Sequence, residues 1–370
     1  MKIAICLYKY FPYGGLQRDF LRIANTLIHR GHSVRVYTQK WIGETCPSNM
    51  ELVIVPVHSL TNHGKSIQFH KWVQKHLENN PVDRIVGFNK MPDLDVYYGA
   101  DVCYAEKVDR EKSWFYKLGA RYKILANFER LTVGKGLKTK LMIITPNQQK
   151  DFQKHYQTES ERFYLLPPGI SKDRKYENFK HNLRETFRNS FFLSDSDFLL
   201  LQIGSDFQRK GVDRSIIALA ALPPELQKRT FLYVVGQDNS KKFERLAKKL
   251  EVTKQVRFFG GRDDIPSFIA GADLFLHPAR SENTGTVILE ALVGGLPEIV
   301  TEVCGYAPYV VRAQSGLVIA DPFVQAQYNS ALLSALDRQK LMKWKQNACY
   351  FADHEDLYSL PEKAADIILE

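Results

Sequence analysis

The chain predicts an α/β fold built from two Rossmann-like domains, and three observations carry that prediction. The first is the opening. The apolar run KIAICLY (2–8) is followed by Pro12 and Gly14-Gly15, then a stretch with helical periodicity, then the alternating run SVRVYT (33–38). Strand, glycine loop, helix and strand in that order begin a parallel sheet. The second is a break at Leu165-Leu-Pro-Pro-Gly169, after which a polar, basic stretch runs to about residue 195. The third is that the same rhythm then restarts with FLLLQIGS (198–205). At 370 residues the chain also exceeds what one hydrophobic core usually serves.

Taken in order, Leu16, Phe20, Ile23, Ala24 and Leu27 recur at helical spacing, and Gly31 is a natural stop. LVIVPV (52–57), RIVGF (84–88), DVYYG (95–99) and LMIIT (141–145) are the further strand candidates of the first half. In the second half, VDRSIIALAAL (212–222) reads as a helix, TFLYVVG (230–236) as a strand and KKFERLAKKL as a helix. VRFFG (256–260) and DLFLHPA (273–279) are strands. The expected division is a first domain over 1–168, a second over 169–353 and a C-terminal helix over 354–370. Pattern alone gives that short amphipathic helix no partner. Ligands of such sheets bind at the carboxyl ends of the strands, so a substrate is expected in a cleft between two facing domains.

Composition is that of a globular protein, 44% hydrophobic and 25% charged, with no low-complexity tract. No run approaches the roughly 18–20 apolar residues that span a bilayer. The first residues, interrupted by Lys9, read as a buried strand rather than a signal peptide. Cys6, Cys46, Cys103, Cys304 and Cys349 are scattered and lack C-x-x-C spacing, which suits a reducing cytoplasm and argues against a disulfide framework or a zinc site. The net charge of +10 calls for an anionic partner: nucleic acid, phosphorylated substrate or membrane surface.

Four features carry candidate chemistry. Gly14-Gly15 lies where the first strand turns into a helix, where glycine lets a phosphate approach backbone N–H groups. The spacing is not G-x-G-x-x-G, which weakens a dinucleotide reading. Gly204-Ser-Asp-Phe-Gln-Arg-Lys-Gly211 follows the first strand of the second half, and Arg209 and Lys210 would project from that strand's carboxyl end to neutralise a diphosphate. Taken alone, the same residues equally suit a solvated basic loop. In HPARSENTGTVILEA (277–291), seven residues separate Glu282 from Glu290, and Thr284-Gly285-Thr286 opens a helix whose free N–H groups form an anion site. Carboxylates accept hydrogen bonds from vicinal diols, so both glutamates suit sugar hydroxyls. Separately, Glu282 also fits a charge matched to the helix dipole, and Glu290 a surface residue of an amphipathic helix. The pairs Asp93/Asp95 and Asp195/Asp197 precede strands and read as turns rather than metal ligands.

Between Tyr104 and Lys140 there are ten Lys/Arg against four acids, most of the net charge. They include Lys107, Lys112, Lys117, Arg121 and Lys123, with Trp114, Phe115, Tyr116 and Tyr122 interleaved. Basic residues near an anionic leaflet contribute about 1 kcal/mol each, and aromatics favour the interface. Nucleic acid would use the same ingredients, and a solvated helical face would carry the same charges.

Taken jointly, Glu282-x7-Glu290 after a strand ending His-Pro-Ala, the Arg209-Lys210 pair and the Gly-Gly loop resemble retaining nucleotide-sugar glycosyltransferases of the GT-B fold. LYKYFPYGGLQRDFLRIA, VGFNKMPDLDVYY, GSDFQRKGVDRS, VCGYA and DLYSLPEKAADII resemble, end to end, the lipopolysaccharide core glucosyltransferases of the WaaG type. The resemblance implies transfer of α-glucose from UDP-glucose to an inner-core heptose, normally the second, with no metal or other cofactor. It implies diphosphate contacts from Gly15, Arg209 and Lys210, sugar contacts from Glu282 and Asp101, and a ribose contact from Glu290. It also implies backbone contacts from Asn283, Thr284 and Gly285, placement of Arg262 beside the uracil, and further donor contacts from Asp19 and Arg174. It gives the C-terminal helix a home on the N-terminal, acceptor-binding domain. The basic-aromatic stretch would dock on anionic lipids at the cytoplasmic face of the inner membrane, with no nucleic acid as partner. Departures are Glu298 where relatives carry an apolar residue, Pro308 after Ala307, and Arg280-Ser281 before Glu282.

The rival expectations are a hydrolysing nucleotide-sugar epimerase or a phosphorylase on the same fold, and a non-catalytic protein binding nucleic acid or membrane through the basic patch.

Overall fold

Two parallel sheets organise the chain in the computed structural model, which describes residues 1–12, 14–179 and 182–370. Tyr13, in the first glycine loop, lies outside the described residues. The chain divides into two compact units, Met1–Gly169 together with Tyr358–Glu370, and Ile170–Leu357.

The first unit contains β1 (Lys2–Cys6), β2 (Lys9–Tyr10), β3 (Ser33–Thr38), β4 (Lys40–Trp41), β5 (Met50–Ile54), β6 (Arg84–Gly87), β7 (Val96–Gly99), β8 (Lys140–Ile143) and β9 (Phe163–Leu165). Seven of these form one sheet in the order β5-β3-β1-β6-β7-β8-β9, while β2 and β4 pair as a short ribbon. All neighbours in the large sheet run parallel. Parallel neighbours need crossovers, and α1 (Gly15–His29), α2 (Asn62–Asn79), α3 (Tyr104–Glu111), α4 (Ala120–Val133) and α5 (Pro146–Tyr156) lie in those connections. Ile3 to Cys6 of β1 are all buried, which is why the opening reads as a continuous apolar run. The strand expected at 52–57 lies at Met50–Ile54 instead. Pro56 has no N–H to give a ladder, and β5 is an edge strand.

The second unit holds β10 (Phe198–Ile203), β11 (Thr230–Val235), β12 (Val256–Phe258), β13 (Leu274–His277), β14 (Glu298–Thr301) and β15 (Gly316–Ile319). Their order is β12-β11-β10-β13-β14-β15. The helices are α6 (Leu183–Ser190), α7 (Val212–Ala220), α8 (Pro224–Gln227), α9 (Lys241–Lys249), α10 (Ile265–Gly271), α11 (Thr286–Val293), α12 (Ala307–Ala313), α13 (Gln325–Ala335) and α14 (Arg338–His354). Leu200, Leu232, Leu274 and Ile299 pack on one face of the sheet, and Leu201, Tyr233, Phe275 and Val300 on the other.

The last helix, α15 (Leu360–Leu369), belongs to the first unit. Leu360, Ala364, Ala365 and Ile368 are buried in one cluster with Phe20, Ile23 and Leu27 of α1. Full burial of each Leu or Ile contributes about 1.5–3 kcal/mol. Arg30 adds an ion pair to Asp366 at 2.7 Å.

In both sheets the strand order reverses beside the first strand, between β1 and β6 and between β10 and β13. Loops leaving adjacent strands diverge there, opening a crevice at their carboxyl ends. No helix among the described residues is long and apolar enough to cross a membrane.

Candidate active site

In the second unit, the loops leaving β10 and β13 are stitched together at the point of reversal. A Cβ on Gly211, whose φ is +72°, would lie 2.0 Å from the Pro278 carbonyl oxygen, so only glycine permits this approach. The Arg280 N–H donates to the Arg209 carbonyl at 2.7 Å. The Arg280 guanidinium grips Asp213 at 2.8 and 2.6 Å and donates to the Gln208 carbonyl at 2.6 Å. Arg280, a departure from the family pattern, thus fastens one loop to the other.

This stitching converges Arg209 and Lys210 on one atom, Oε2 of Glu282. Arg209 Nη1 donates to it at 3.0 Å, and Lys210 Nζ forms a second ion pair with it. Arg209 is steadied by Asp206, 3.0 Å from its Nε, and by the Ser281 carbonyl at 3.1 Å. Lys210 is buried, and its carbonyl accepts from Gln202 Nε2 at 2.8 Å. The solvated-basic-loop alternative is therefore replaced by a charge cluster in which Lys210 is buried, Glu282 largely buried and Arg209 half-exposed. His277, wholly buried at the end of β13, brings Nε2 to 3.7 Å from the same carboxylate oxygen, too far for a hydrogen bond. Burial alone would raise the Glu282 pKa. The Lys210 and Arg209 cations outweigh it and hold the carboxyl well below the usual carboxylate range. Burial, aided by Lys210, pushes the His277 imidazole down to about 4, so it is neutral near pH 7.

The helix following Glu282 begins at Thr286, as expected, and Gly285 takes a left-handed φ of +79° as its N-cap. Gly285, as the N-cap, has no side chain with which to cap this helix. The Thr284 carbonyl accepts from the Tyr306 N–H at 2.8 Å, which fixes the Asn283–Gly285 turn. Ile288 to Val293 are all buried, Glu290 included. Glu290 is thus not a surface residue of an amphipathic helix; α11 packs against β13, β14, α12 and α14.

The remaining candidates are spread more widely. Arg262 lies in the exposed loop after β12, paired with Asp264 through two 2.8 Å contacts. Arg174 sits in a single 3₁₀ turn, Lys172–Arg174, with Nη1 buried and without a hydrogen-bond partner among the described residues. In the first unit Gly15 is the first residue of α1, with open space where a Cβ would stand. Asp19, one turn on, accepts from the Tyr98 hydroxyl at 2.6 Å, and burial raises its pKa despite that bond. Asp101 is exposed, two residues past β7. A polar cavity of about 280 Å³ lies at the carboxyl end of β1, lined by Lys9, Gln17, Gln39, Asn62, Ser66 and Asn89 among others.

The basic-aromatic stretch folds as α3, a 3₁₀ turn (Trp114–Leu118) and α4. Trp114 and Phe115 stack with centroids 3.8 Å apart and are each 64% exposed, with Leu118 at 60%. Lys107, Lys112, Arg121 and Lys123 are exposed around them. Tyr116 and Tyr122 are instead half-buried: the Tyr116 hydroxyl meets that of Tyr104 at 3.1 Å, and Lys117 is paired with Asp109 at 2.5 Å. Leu118 carries no charge or ring, and only the structure exposes it.

Asp93 pairs with His70 of α2 at 3.0 Å and Asp95 accepts from the Ile85 N–H of β6 at 2.7 Å, while Asp197 accepts from the Ser194 N–H at 2.8 Å within its own turn. No group of three or more His, Cys, Asp or Glu suited to a metal ion occurs among the described residues. Glu298 is wholly buried at the head of β14, and neither carboxylate oxygen has a hydrogen-bond partner among the described residues. Burial raises its pKa well above the ordinary value.

Comparison with known proteins places this architecture. Residues 184–349 match the family model of glycosyl transferases group 1. The chain is 58% identical, over all of its own length and 98% of the other, to the lipopolysaccharide glucosyltransferase WaaG of Escherichia coli K12. It superposes on the crystal structure of WaaG with a TM-score of 0.93 over 99% of both chains. Sucrose-phosphate synthase from Thermosynechococcus elongatus, at 15% identity, shares the fold with a TM-score of 0.79 over 99% of this chain and 98% of its own. The chain is a glycosyltransferase of the GT-B fold and belongs to the WaaG family within group 1.

Proposed function

We propose that the chain transfers α-glucose from UDP-glucose to the second heptose of the inner lipopolysaccharide core, with retention of configuration and without a metal. The observation that carries this reading is the convergence of Arg209 and Lys210 on Glu282 at the crevice between β10 and β13. The likeness to a relative named for lipopolysaccharide glucosyl transfer supports the substrate class.

In this reading the diphosphate lies against Arg209, Lys210 and the uncapped start of α11 beyond Asn283, Thr284 and Gly285. All the cation contacts of Glu282 fall on Oε2, so Oε1 is the natural acceptor for a sugar hydroxyl. Glu290 takes the ribose diol and Arg262 the uracil edge. Gly15, Asp19 and Arg174 are further donor contacts, and Asp101 is a polar contact of the reacting sugar. The polar cavity beside Lys9 and Asn89 supports an acceptor saccharide on the first unit.

The chemistry then follows from charge. The anomeric C–O bond to the diphosphate breaks, and its electron pair leaves with UDP. The acceptor hydroxyl oxygen bonds to the anomeric carbon on the same face, and its proton passes to the departing phosphate oxygen. Negative charge grows on the diphosphate, where preorganised cations and amide dipoles stabilise it by several kcal/mol each. His277, neutral at this pH, leaves that balance undisturbed.

We also read the Trp114–Leu118 turn and its basic surround as a contact with anionic lipid, placing the enzyme at the cytoplasmic face of the inner membrane. Nucleic acid has no role in this account.

The test is incubation of the protein with UDP-glucose and a deacylated core acceptor, with and without EDTA. The expected result is an α-glucosylated heptose and UDP, with unchanged rates in EDTA. Free glucose or an epimerised nucleotide sugar, formed equally without acceptor, would replace the transfer reading with hydrolysis or epimerisation. Loss of activity in EDTA would overturn the metal-free part.

A further inference from the structure

Asp101 is exposed, yet the backbone on both sides of it is held by three buried or nearly buried side chains from distant segments. Gln148, in the first turn of α5, donates through Nε2 to the carbonyls of Gly99 and Asp101, the latter at 3.0 Å. Its Oε1 accepts from the N–H groups of Ile144 at 2.9 Å and Thr145 at 3.1 Å, so the amide is fully used. Lys90 Nζ donates to the Val102 carbonyl at 2.8 Å and pairs with Glu129 Oε1 at 2.5 Å. Glu129, wholly buried on α4, accepts the N–H groups of Tyr104 at 2.7 Å and Ala105 at 3.0 Å, and the Tyr156 hydroxyl at 2.6 Å. Cys103, the N-cap of α3, provides no side-chain cap of its own, so Glu129 serves in its place.

We propose that Gln148, Lys90 and Glu129 are positioning residues that hold the Gly99–Ala105 backbone so that Asp101 meets the reacting sugar. This rests on the reading of Asp101 as a contact of that sugar. A buried ion pair is a poor source of stability, since well-packed apolar residues of similar volume often do as well or better. Here it supplies direction. Five backbone groups within seven residues, the carbonyls of Gly99, Asp101 and Val102 and the N–H groups of Tyr104 and Ala105, are each tied to one of three side chains. None of the three is itself a proposed nucleotide contact, and Arg209, Lys210 and Glu290 lie in the second unit. Burial would raise the Glu129 pKa, but Lys90 and the hydrogen bonds to the carboxylate hold it low, which keeps the charge that the α3 N–H groups require. A displacement of about 1 Å at a reacting group commonly costs on the order of 100-fold in rate.

The test is Gln148→Glu in the full-length protein. The new carboxyl keeps the oxygen that caps Ile144 and Thr145, while placing an acceptor against the Gly99 and Asp101 carbonyls. Expected are a kcat about 100-fold lower, an unchanged KM for UDP-glucose, and partial recovery of kcat at lower pH as protonation restores one donor. Wild type should lack that recovery. Amide hydrogen exchange, read independently of activity, should speed up at residues 100–105 and not in the second unit. Lys90→Met, which removes only the donor to Val102 and the partner of Glu129, is the second variant should the first be unfolded at assay temperature. A folded variant with wild-type kcat across the pH range, or with wild-type protection of residues 100–105, overturns the inference. Absence of glucosyl transfer in the wild type itself instead removes the underlying reading of Asp101, and the exchange data still decide whether the clamp exists.

Discussion

Lys210 and Glu282, on loops that leave β10 and β13, form a buried ion pair 72 residues apart in sequence. Arg209 shares the same carboxylate oxygen, so one acid organises the two cations that the proposed function sets against a diphosphate. Removing the Lys210 charge leaves Arg209 as the remaining cation on the Glu282 carboxylate, so the cost should fall below the about 3–5 kcal/mol of a fully uncompensated buried charge. Lys210→Met is therefore expected to lower both the unfolding midpoint and turnover, the latter by roughly 100- to 1,000-fold. The double variant Lys210→Met/Glu282→Gln should recover much of the stability and none of the activity. Thermal unfolding and kcat on wild type, the single and the double variant check this; wild-type turnover in Lys210→Met would remove Lys210 from the site.

His277 gives the second unit an acid-labile element. Its pKa in the folded chain is about 4 against an ordinary value of 6.5, with burial as the main cause. Between those pH values the unfolded chain binds the proton and the folded chain does not, so stability falls as pH drops through that window. His277→Asn should flatten the dependence of unfolding midpoint on pH between about 6.5 and 4. A wild-type slope in the variant would show that other groups set the acid response.

Glu298 acts with the opposite sign. Its folded-state pKa is raised by burial, so below the ordinary carboxyl value both states are protonated. As pH rises past that value the unfolded chain ionises and the folded chain resists, and stability is lost until the folded pKa is reached. A buried polar group without a partner costs about 1–3 kcal/mol. Glu298→Met keeps volume and removes the carboxyl. Its unfolding midpoint should exceed that of wild type by several degrees at pH 8, at about 2–4 °C per kcal/mol for a unit this size. The gap should close toward pH 4.5. A variant less stable than wild type at pH 8 would mean that the carboxyl has a stabilising partner.

These two titrating groups mark the limit of what a linear sequence reveals. The α/β rhythm was legible because strands buried on both faces, such as Phe198–Ile203, read as unbroken apolar runs. The short strands β9 and β15 are not legible as strands in the sequence, although β12 and β13, equally short, are. Arg209, Lys210 and Glu282 were visible as charges placed just after strands, where such sheets bind ligands. Their sharing of one oxygen was not visible, because it depends on which strands are neighbours. Glu290 looked amphipathic only if α11 had a solvent side, and packing on four elements removes that side. The clamp on Asp101 combines residues 90, 129 and 148, each unremarkable in its own segment.

The proposed lipid contact at the exposed turn Trp114–Leu118 can be tested apart from catalysis, and its neighbours differ in what they can contribute. Lys107, Lys112, Arg121 and Lys123 are exposed, whereas Lys117 is engaged by Asp109 and its charge is offset. Replacing those four with Ser should weaken binding to phosphatidylglycerol-containing vesicles by roughly an order of magnitude or more, because each charge near an anionic surface contributes about 1 kcal/mol. Lys117→Ser should change it little. Trp114→Ser/Phe115→Ser/Leu118→Ser should weaken binding in a way that added salt does not mimic, since the loss is of apolar contact rather than screened charge. Neither set touches the groups around Glu282, so transfer to a soluble deacylated acceptor should stay at the wild-type rate. Vesicle sedimentation at two salt concentrations, run beside that soluble assay, distinguishes the terms. If the Lys117 variant loses as much binding as the exposed set, the Asp109 pair does not persist at the membrane and the surface must be redrawn.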